Sequence, residues 1–157
     1  MRCNASLAAF FVALFVATSV GAQDKPVDAM QALRAAAKAD KRGLVESTLA
    51  LTEAEAKRFW PLYDAYQRDL ERANRRRTVA LVEVVGSPAP IGNLHARNVA
   101  RELVAADEDE LRARRKLRDG VKDALPPRKA IRYLQLEWKI RAAQYYDLAV
   151  TVPLLDP

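Results

Sequence analysis

Residues 51–73 read LTEAEAKRFWPLYDAYQRDLERA, and they carry the clearest helix signal in the chain. Thr52 followed three residues later by Glu55 is a capping box, in which each side chain satisfies a backbone amide of the other residue at a helix start. Large apolar residues then recur every three or four positions, which is the spacing of one buried helix face. We therefore predict a helix over about residues 53–85 that continues through Pro61 with a local kink.

Three further helices are predicted on either side of this segment. The chain is rich in Ala, Leu, Arg, Lys and Glu and has only 5 glycines, a composition that favours helix. The predicted helices span about residues 28–49, 93–124 and 127–149. Gly43 weakens the first of them, so a break there is one interpretation, and Pro127 suits an early position of the last. The sequence thus predicts an all-α fold of four helices.

The two longest predicted helices should form a long antiparallel central hairpin, because residues 86–90 combine glycine and proline turn signals. With the turn centred near Ala89, Arg68 and Arg72 are expected to face the acidic run at 107–110. Slender helices bury little apolar area, and each large apolar side chain left in water forgoes roughly 1.5–3 kcal/mol. We therefore expect an elongated, cradle-like homodimer or an apolar partner, and the sequence leaves open whether the first helix swaps between subunits.

Residues 1–22 have the pattern of a secretory signal. Arg2 precedes the apolar run at 7–16, and small residues then lead to Ala22 before the chain turns polar. This arrangement predicts cleavage after Ala22 and export to the periplasm of a single domain, residues 23–157. An uncleaved anchor is the alternative. The one cysteine lies in the predicted signal, so the processed chain is expected to lack disulfides and thiolate metal sites.

The residues that catalysis needs are not assembled in this sequence. The only histidine, His95, lies in a different region from Ser47 and from Ser87, so no nucleophile and base can be paired. A single imidazole with carboxylates also matches known zinc ligand sets poorly. We therefore expect no enzymatic activity, no catalytic residues, no metal and no cofactor.

The chain is basic, with 26 Lys and Arg side chains against 20 Asp and Glu. In a cytoplasmic protein this balance would suggest nucleic acid as a partner. Export makes nucleic acid an unexpected partner and leaves anionic membrane surfaces, lipopolysaccharide or acidic protein surfaces. The simpler interpretation of these basic residues is that they lie on solvent-exposed helix faces and pair with carboxylates of the same protein.

The segment Leu51-Thr52-Glu53-Ala54-Glu55, which heads a long helix in a basic, exported chain, resembles the Leu-Thr-x-x-Gln motif of the Spy/CpxP family of periplasmic proteins. The similarity extends to Phe59-Trp60-Pro61-Leu62-Tyr63 and to the segment Leu125-Pro126-Pro127-Arg128-Lys129-Ala130. Glu55 stands in place of the motif's Gln in the first copy, and Pro126 and Lys129 depart from the motif in the second. The resemblance is therefore to a divergent branch of the family.

An internal echo accompanies this resemblance. Leu51, Ala56, Arg58 and Phe59 have the same spacing as Leu125, Ala130, Arg132 and Tyr133. The resemblance implies a four-helix, cradle-shaped dimer that acts as an ATP-independent chaperone for unfolded proteins, or as a modulator of an envelope-stress sensor kinase. Some family members bind zinc, but the absence of a histidine cluster here argues against that subgroup.

Residues expected to contact a client or partner are basic or large and apolar, and the motif itself is a further candidate. For all of them a structural role, in the core or on a solvated face, is the alternative interpretation. The candidates are Trp60, Tyr63, Arg75, Arg76, Arg77, Arg115, Lys116, Arg118, Tyr133, Leu136 and Ile140, with Leu51, Thr52 and Glu55 in the motif.

Overall fold

The computed structural model describes residues 24–87 and 91–154, which form four α-helices and no strand. The all-α, four-helix prediction is confirmed. The predicted signal and its cleavage site lie outside the described residues, as does the centre of the turn near Ala89. None of the described helices is long and apolar enough to cross a membrane. The helices are α1 (Asp24–Leu49), α2 (Glu53–Gly86), α3 (Asn93–Ala124) and α4 (Pro127–Ala149).

The start of α2 has the capping box expected from its sequence. The Thr52 amide donates to Glu55 Oε2 over 2.8 Å, and the Glu55 amide donates to Thr52 Oγ1 over 3.3 Å. The helix continues through Pro61 to Gly86. Pro127 occupies the first turn of α4, as predicted, where a missing N–H costs no helical hydrogen bond.

The break in α1 lies at Asp40 rather than at Gly43. Asp40 has an extended backbone, with φ −154° and ψ 90°, and its Oδ1 accepts a hydrogen bond from the Gly43 amide over 2.8 Å. Asp40 thus acts as the N-cap of the second half of α1. A Cβ on Gly43 would collide with the Asp40 carboxylate, so the glycine makes room for this cap instead of breaking the helix.

The apolar core lies among all four helices. Its largest fully buried side chains include Val45 of α1, Phe59 of α2, Val121 of α3, and Tyr133 and Ile140 of α4. The rings of Phe59 and Tyr133 meet edge to face with centroids 4.8 Å apart, which is a favourable aromatic geometry.

Helices α2 and α3 pair closely along their length. A Cβ on Gly120 would lie 2.8 Å from a methyl carbon of Leu62, so the glycine permits a close approach there. Further along α2, Arg77 bonds Glu110. Positions on α3 therefore descend as positions on α2 rise, which is the order of contacts in an antiparallel pair.

The register of this pair differs from the sequence prediction. Arg72 forms an ion pair with Asp69 on its own helix. The acidic run at 107–110 is contacted instead by Arg76 and Arg77, about one turn further along α2. Arg72 shares a surface with Asp109 of this run but pairs with Asp69, so the ion pairs between the two helices are shifted by about one turn of α2 from the prediction.

The molecule divides into two parts, which we call the body and the arm. The arm is the distal hairpin, residues 78–86 of α2 and 93–106 of α3, and the body is the rest of the described chain. Within the arm only Ala80, Val99 and Ala106 are buried. The five large apolar side chains that are more than half exposed in the arm are Val79, Val82, Val85, Leu94 and Val104.

Candidate binding surfaces

Four of the predicted partner-binding residues belong to the core. Tyr63, Tyr133, Leu136 and Ile140 are between 0% and 6% exposed, so the prediction that they contact a partner is wrong. Helix α4 has two apolar faces, and the face that packs into the body is the one that contains Tyr133. The equivalent positions of Phe59 and Tyr133, each the ninth residue of its segment, are the sequence signal that could have placed Tyr133 in the core beside Phe59.

Trp60 is half-buried at the edge of the core. The guanidinium of Arg42 lies over its ring, 4.0 Å from the ring centroid, and also bonds Asp64 over 2.7 Å. This cation–π contact fixes α1 against α2. It also covers part of the ring that a partner would otherwise contact.

Arg77 is a structural residue and not a surface one. It is 6% exposed, and its guanidinium donates to Asp107 over 2.8 Å, to Glu110 over 3.0 Å and to the Tyr145 hydroxyl over 2.7 Å. The Tyr145 hydroxyl in turn donates to Glu110 over 2.8 Å, and Arg141 pairs with the same carboxylate. This junction cluster ties α2, α3 and α4 together where the arm leaves the body, and the prediction of partner contact for Arg77 is wrong.

The electrostatics of the junction cluster keep its hydroxyl donor in place. Burial, aided by the hydrogen bond to Glu110, raises the pKa of Tyr145 to about 12. Tyr145 therefore stays protonated at neutral pH and keeps donating to the carboxylate. The run Arg75-Arg76-Arg77 gave no local sign of this burial, because the partners of Arg77 lie about 30 and about 70 residues further along the chain.

A second buried carboxylate, Glu137, joins α4 to α1 and α2. Lys41 Nζ lies 3.0 Å from Glu137 Oε2 and donates to Gln67 Oε1 over 3.0 Å. The Tyr133 hydroxyl donates to Glu137 Oε1 over 3.3 Å. The charge of Glu137 is thus compensated within the body.

The motif residues link the end of α1 and the start of α2 to the start of α4. Lys129 donates to Glu55 Oε2 over 2.7 Å and to the Ala50 carbonyl over 2.8 Å. The hydrogen bond from Lys129 to the Glu55 carboxylate is the main cause that lowers the pKa of Glu55. Leu51 packs against the core and Thr52 caps α2. The geometry gives the motif a structural role, because Glu55 and Lys129, the fifth residues of the two copies, bond each other.

Arg115 and Arg118 line a groove between α3 and α4, which we call the α3–α4 groove. Its volume is about 300 Å³. Leu111 and Trp138 are its exposed apolar residues, 39% and 63% exposed. The remaining lining residues are Tyr66, Arg114, Leu117, Leu134, Glu137 and Arg141. Trp138 is not among the predicted partner-binding residues.

Lys116 lies on the other flank of α3. It shares a shallow surface with Arg72 of α2 and with Arg112, where Arg72 and Arg112 pair with Asp69 and Asp109. The predicted partner-binding residues Arg115, Lys116 and Arg118 are therefore divided between two sides of one helix.

Arg75 and Arg76 lie at the base of the arm. Arg76 bridges Glu102 over 2.7 Å and Asp109 over 3.0 Å, and these hydrogen bonds lower the pKa of both carboxyls. Arg75 is exposed and pairs with Glu71 over 3.0 Å. Together with the five exposed apolar side chains of the arm, these two arginines make what we call the arm surface.

The described part of the chain offers little for metal or nucleophile chemistry. Among residues 24–87 and 91–154, no group of three His, Cys, Asp or Glu side chains could hold a metal ion. His95 Nε2 lies 3.5 Å from the Ser87 hydroxyl at the far end of the arm, so the prediction that His95 and Ser87 lie in different regions is wrong. The Ser87 hydroxyl donates to the Glu83 carbonyl of its own helix. Both candidate surfaces are instead built from arginines beside exposed apolar groups.

Comparison of the chain with protein-family models finds no match, and comparisons with curated proteins and with solved structures find none either.

Proposed function

We propose that this chain is a periplasmic, ATP-independent chaperone that holds unfolded protein segments on its arm surface. The observation that carries the proposal is the exposure of five large apolar side chains on a two-helix arm, each between 54% and 74% exposed. Contiguous exposed apolar groups mark interaction sites in soluble proteins, and Val79, Val82 and Val85 recur at every third position along α2. The resemblance of residues 51–55 to the Spy/CpxP motif supports the same function.

The charges at the base of the arm suit such a role. Arg75 is exposed beside Val79 in a surface depression that also includes Arg76. The net positive charge of the whole chain speeds the encounter with acidic segments, while the valines supply apolar contact once a segment has bound. Added salt is therefore expected to slow capture more than it weakens the final complex.

A homodimer is part of the proposal. One copy leaves the arm's apolar side chains in water. A second copy that covers some of them would stabilise the pair, because full burial of one such side chain contributes roughly 1.5–3 kcal/mol. Sedimentation equilibrium of the purified chain should give twice the monomer mass. A monomer at all concentrations would remove the dimer from the proposal.

The chaperone activity is tested by suppression of client aggregation without nucleotide. We expect V79S/V82S to suppress aggregation several-fold less well than the original chain. The matched control is V27S/V150S, which removes two valines of similar exposure, 57% and 63%, outside the arm. Equal activity of both double variants, or no suppression of any client by the folded original chain, would contradict the proposal.

Regulation of an envelope-stress sensor kinase is the second candidate function. The observation that favours it is the fixed geometry of Arg76, which is held by Glu102 and Asp109, because a preorganised charged surface suits one defined partner. Pull-down from envelope extract separates the two functions. One stoichiometric partner would favour regulation, and many substoichiometric ones would favour a chaperone.

A further inference from the structure

The α3–α4 groove has a strong excess of positive charge. Its charged lining residues are four arginines and one carboxylate, Glu137. Glu137 is paired with Lys41, Arg141 with Glu110 and Arg118 with Asp119. Among the described residues, neither Arg114 nor Arg115 forms an ion pair with a carboxylate. The groove therefore presents guanidinium groups to solvent, and guanidinium binds phosphate and carboxylate oxygens with matched geometry.

A buried donor without an acceptor also faces this groove. Tyr66 is 3% exposed, lines the groove, and its hydroxyl has no hydrogen-bond partner in the described part of the protein. Burial raises the pKa of Tyr66, so the hydroxyl remains a protonated donor. Because buried polar groups are nearly always hydrogen-bonded, this hydroxyl lacks the acceptor that is expected for it.

The rim of the groove is apolar and exposed. Trp138 is 63% and Leu111 39% exposed, and Ile131, seven residues before Trp138 on the same side of α4, is 54% exposed. Arg128, Arg132 and Lys139 are exposed beside this stripe. Tryptophan flanked by basic side chains is typical of protein surfaces at the boundary between lipid headgroups and acyl chains.

We propose that the α3–α4 groove docks the protein on anionic lipid bilayers, with one lipid phosphate among its arginines and with Trp138 and Leu111 in the headgroup layer. Charge complementarity selects an anionic headgroup, and the phosphate oxygens supply the acceptor that the Tyr66 hydroxyl lacks. A free phosphate would leave the apolar rim in water. This site is separate from the arm surface, so the proposal stands or fails independently of the chaperone function.

The test is cosedimentation of the whole chain with vesicles of phosphatidylcholine, with and without phosphatidylglycerol. We expect binding that depends on phosphatidylglycerol and a shift of Trp138 fluorescence to shorter wavelength. R115Q/R118Q should bind the anionic vesicles roughly 30-fold more weakly, since each basic residue near an anionic surface contributes about fivefold. The apolar run at 7–16 is common to all variants, so it cannot account for a difference among them.

The matched control is R72Q/R112Q, which removes the same charge from the other flank of α3 and should lose less than threefold. Y66F removes only the hydroxyl and should weaken binding several-fold while leaving helix content and unfolding temperature unchanged. W138A should abolish the fluorescence shift.

Equal losses in the groove variant and the control would show general electrostatic attraction and overturn the proposal. Binding of inorganic phosphate or of an acidic peptide in the groove, without binding to anionic vesicles, would overturn it as well. Unchanged binding of Y66F would exclude a phosphate at the hydroxyl and contradict the assigned position of the headgroup.

Discussion

The same two helices, α2 and α3, behave differently in the body and in the arm. In the body, α2 contributes Phe59, Tyr63 and Tyr66 to a core shared by four helices. In the arm, Ala80 is the one residue of α2 that is fully buried. Helix formation and stability are therefore separable here, because tertiary packing of an apolar face contributes most of the stability of a helix. The arm is helical but buries little.

The boundary between the two parts is polar. Arg77, Glu110 and Tyr145 form the junction cluster in place of a further apolar layer. A buried ion pair loses much of its Coulombic gain to desolvation, yet removal of one partner leaves an unpaired buried charge. The cluster therefore fixes where the arm begins more than it adds to stability.

Removal of a core ring should have the largest effect and should act on the whole body. Tyr133→Ala deletes a fully buried ring that contacts Phe59, so we expect a loss of roughly 3–5 kcal/mol in the free energy of unfolding. Urea denaturation followed by circular dichroism measures it. A loss below about 1 kcal/mol would mean that the body is not the stable part of the molecule.

The junction is tested by two neighbouring arginines. Arg77→Met leaves Glu110 with Arg141 as its remaining basic partner and should cost about 3 kcal/mol. Arg76→Met removes a half-exposed arginine and should cost less than about 1 kcal/mol. Thermal unfolding of both variants gives the comparison. Equal costs would contradict the assignment of Arg77 as the buried link between arm and body.

The capping box should contribute a smaller amount, again to the body. Thr52→Ala removes the hydroxyl that accepts from the Glu55 amide and should cost about 1 kcal/mol. Thr78→Ala, an exposed helical threonine of the arm, is the control and should cost nothing measurable. If the two changes have the same effect on the urea midpoint, the cap does not stabilise α2.

The smallest effect is expected in the arm itself. Val82→Ala changes a side chain that is 62% exposed and should alter the free energy of unfolding by less than about 0.5 kcal/mol. Val121→Ala, at a fully buried position of the body, should cost roughly 2 kcal/mol. A cost for Val82→Ala close to that of Val121→Ala would show that the arm valines are covered, as in a tight dimer.

Local sequence signals predicted the helices well. The capping box at Thr52 and the proline at 127 placed the starts of α2 and α4, because caps act within a few residues. A break in α1 at Gly43 is one interpretation of the sequence, because glycine disfavours helix. The structure places it at Asp40, whose side chain caps the following turn.

The candidate site could be predicted only in part. Arg115 and Arg118 were recognised as basic surface residues, but which apolar face of α4 is buried depends on the packing of α1 and α2. Both faces have helical spacing, so Tyr133 and Trp138 could not be distinguished by periodicity alone. Arg77 likewise looked like its neighbour Arg76, because its burial depends on residues distant in sequence.

The burial of the Arg77 guanidinium also sets how the molecule responds to ionic strength. Counterions screen exposed charges but reach buried pairs poorly. High salt that screens the attraction of Arg114 and Arg115 for anions would therefore leave the ion pairs of the junction cluster intact. The contacts between arm and body would then stay the same, while the distance over which the exposed arginines attract anions shortens as the salt concentration rises.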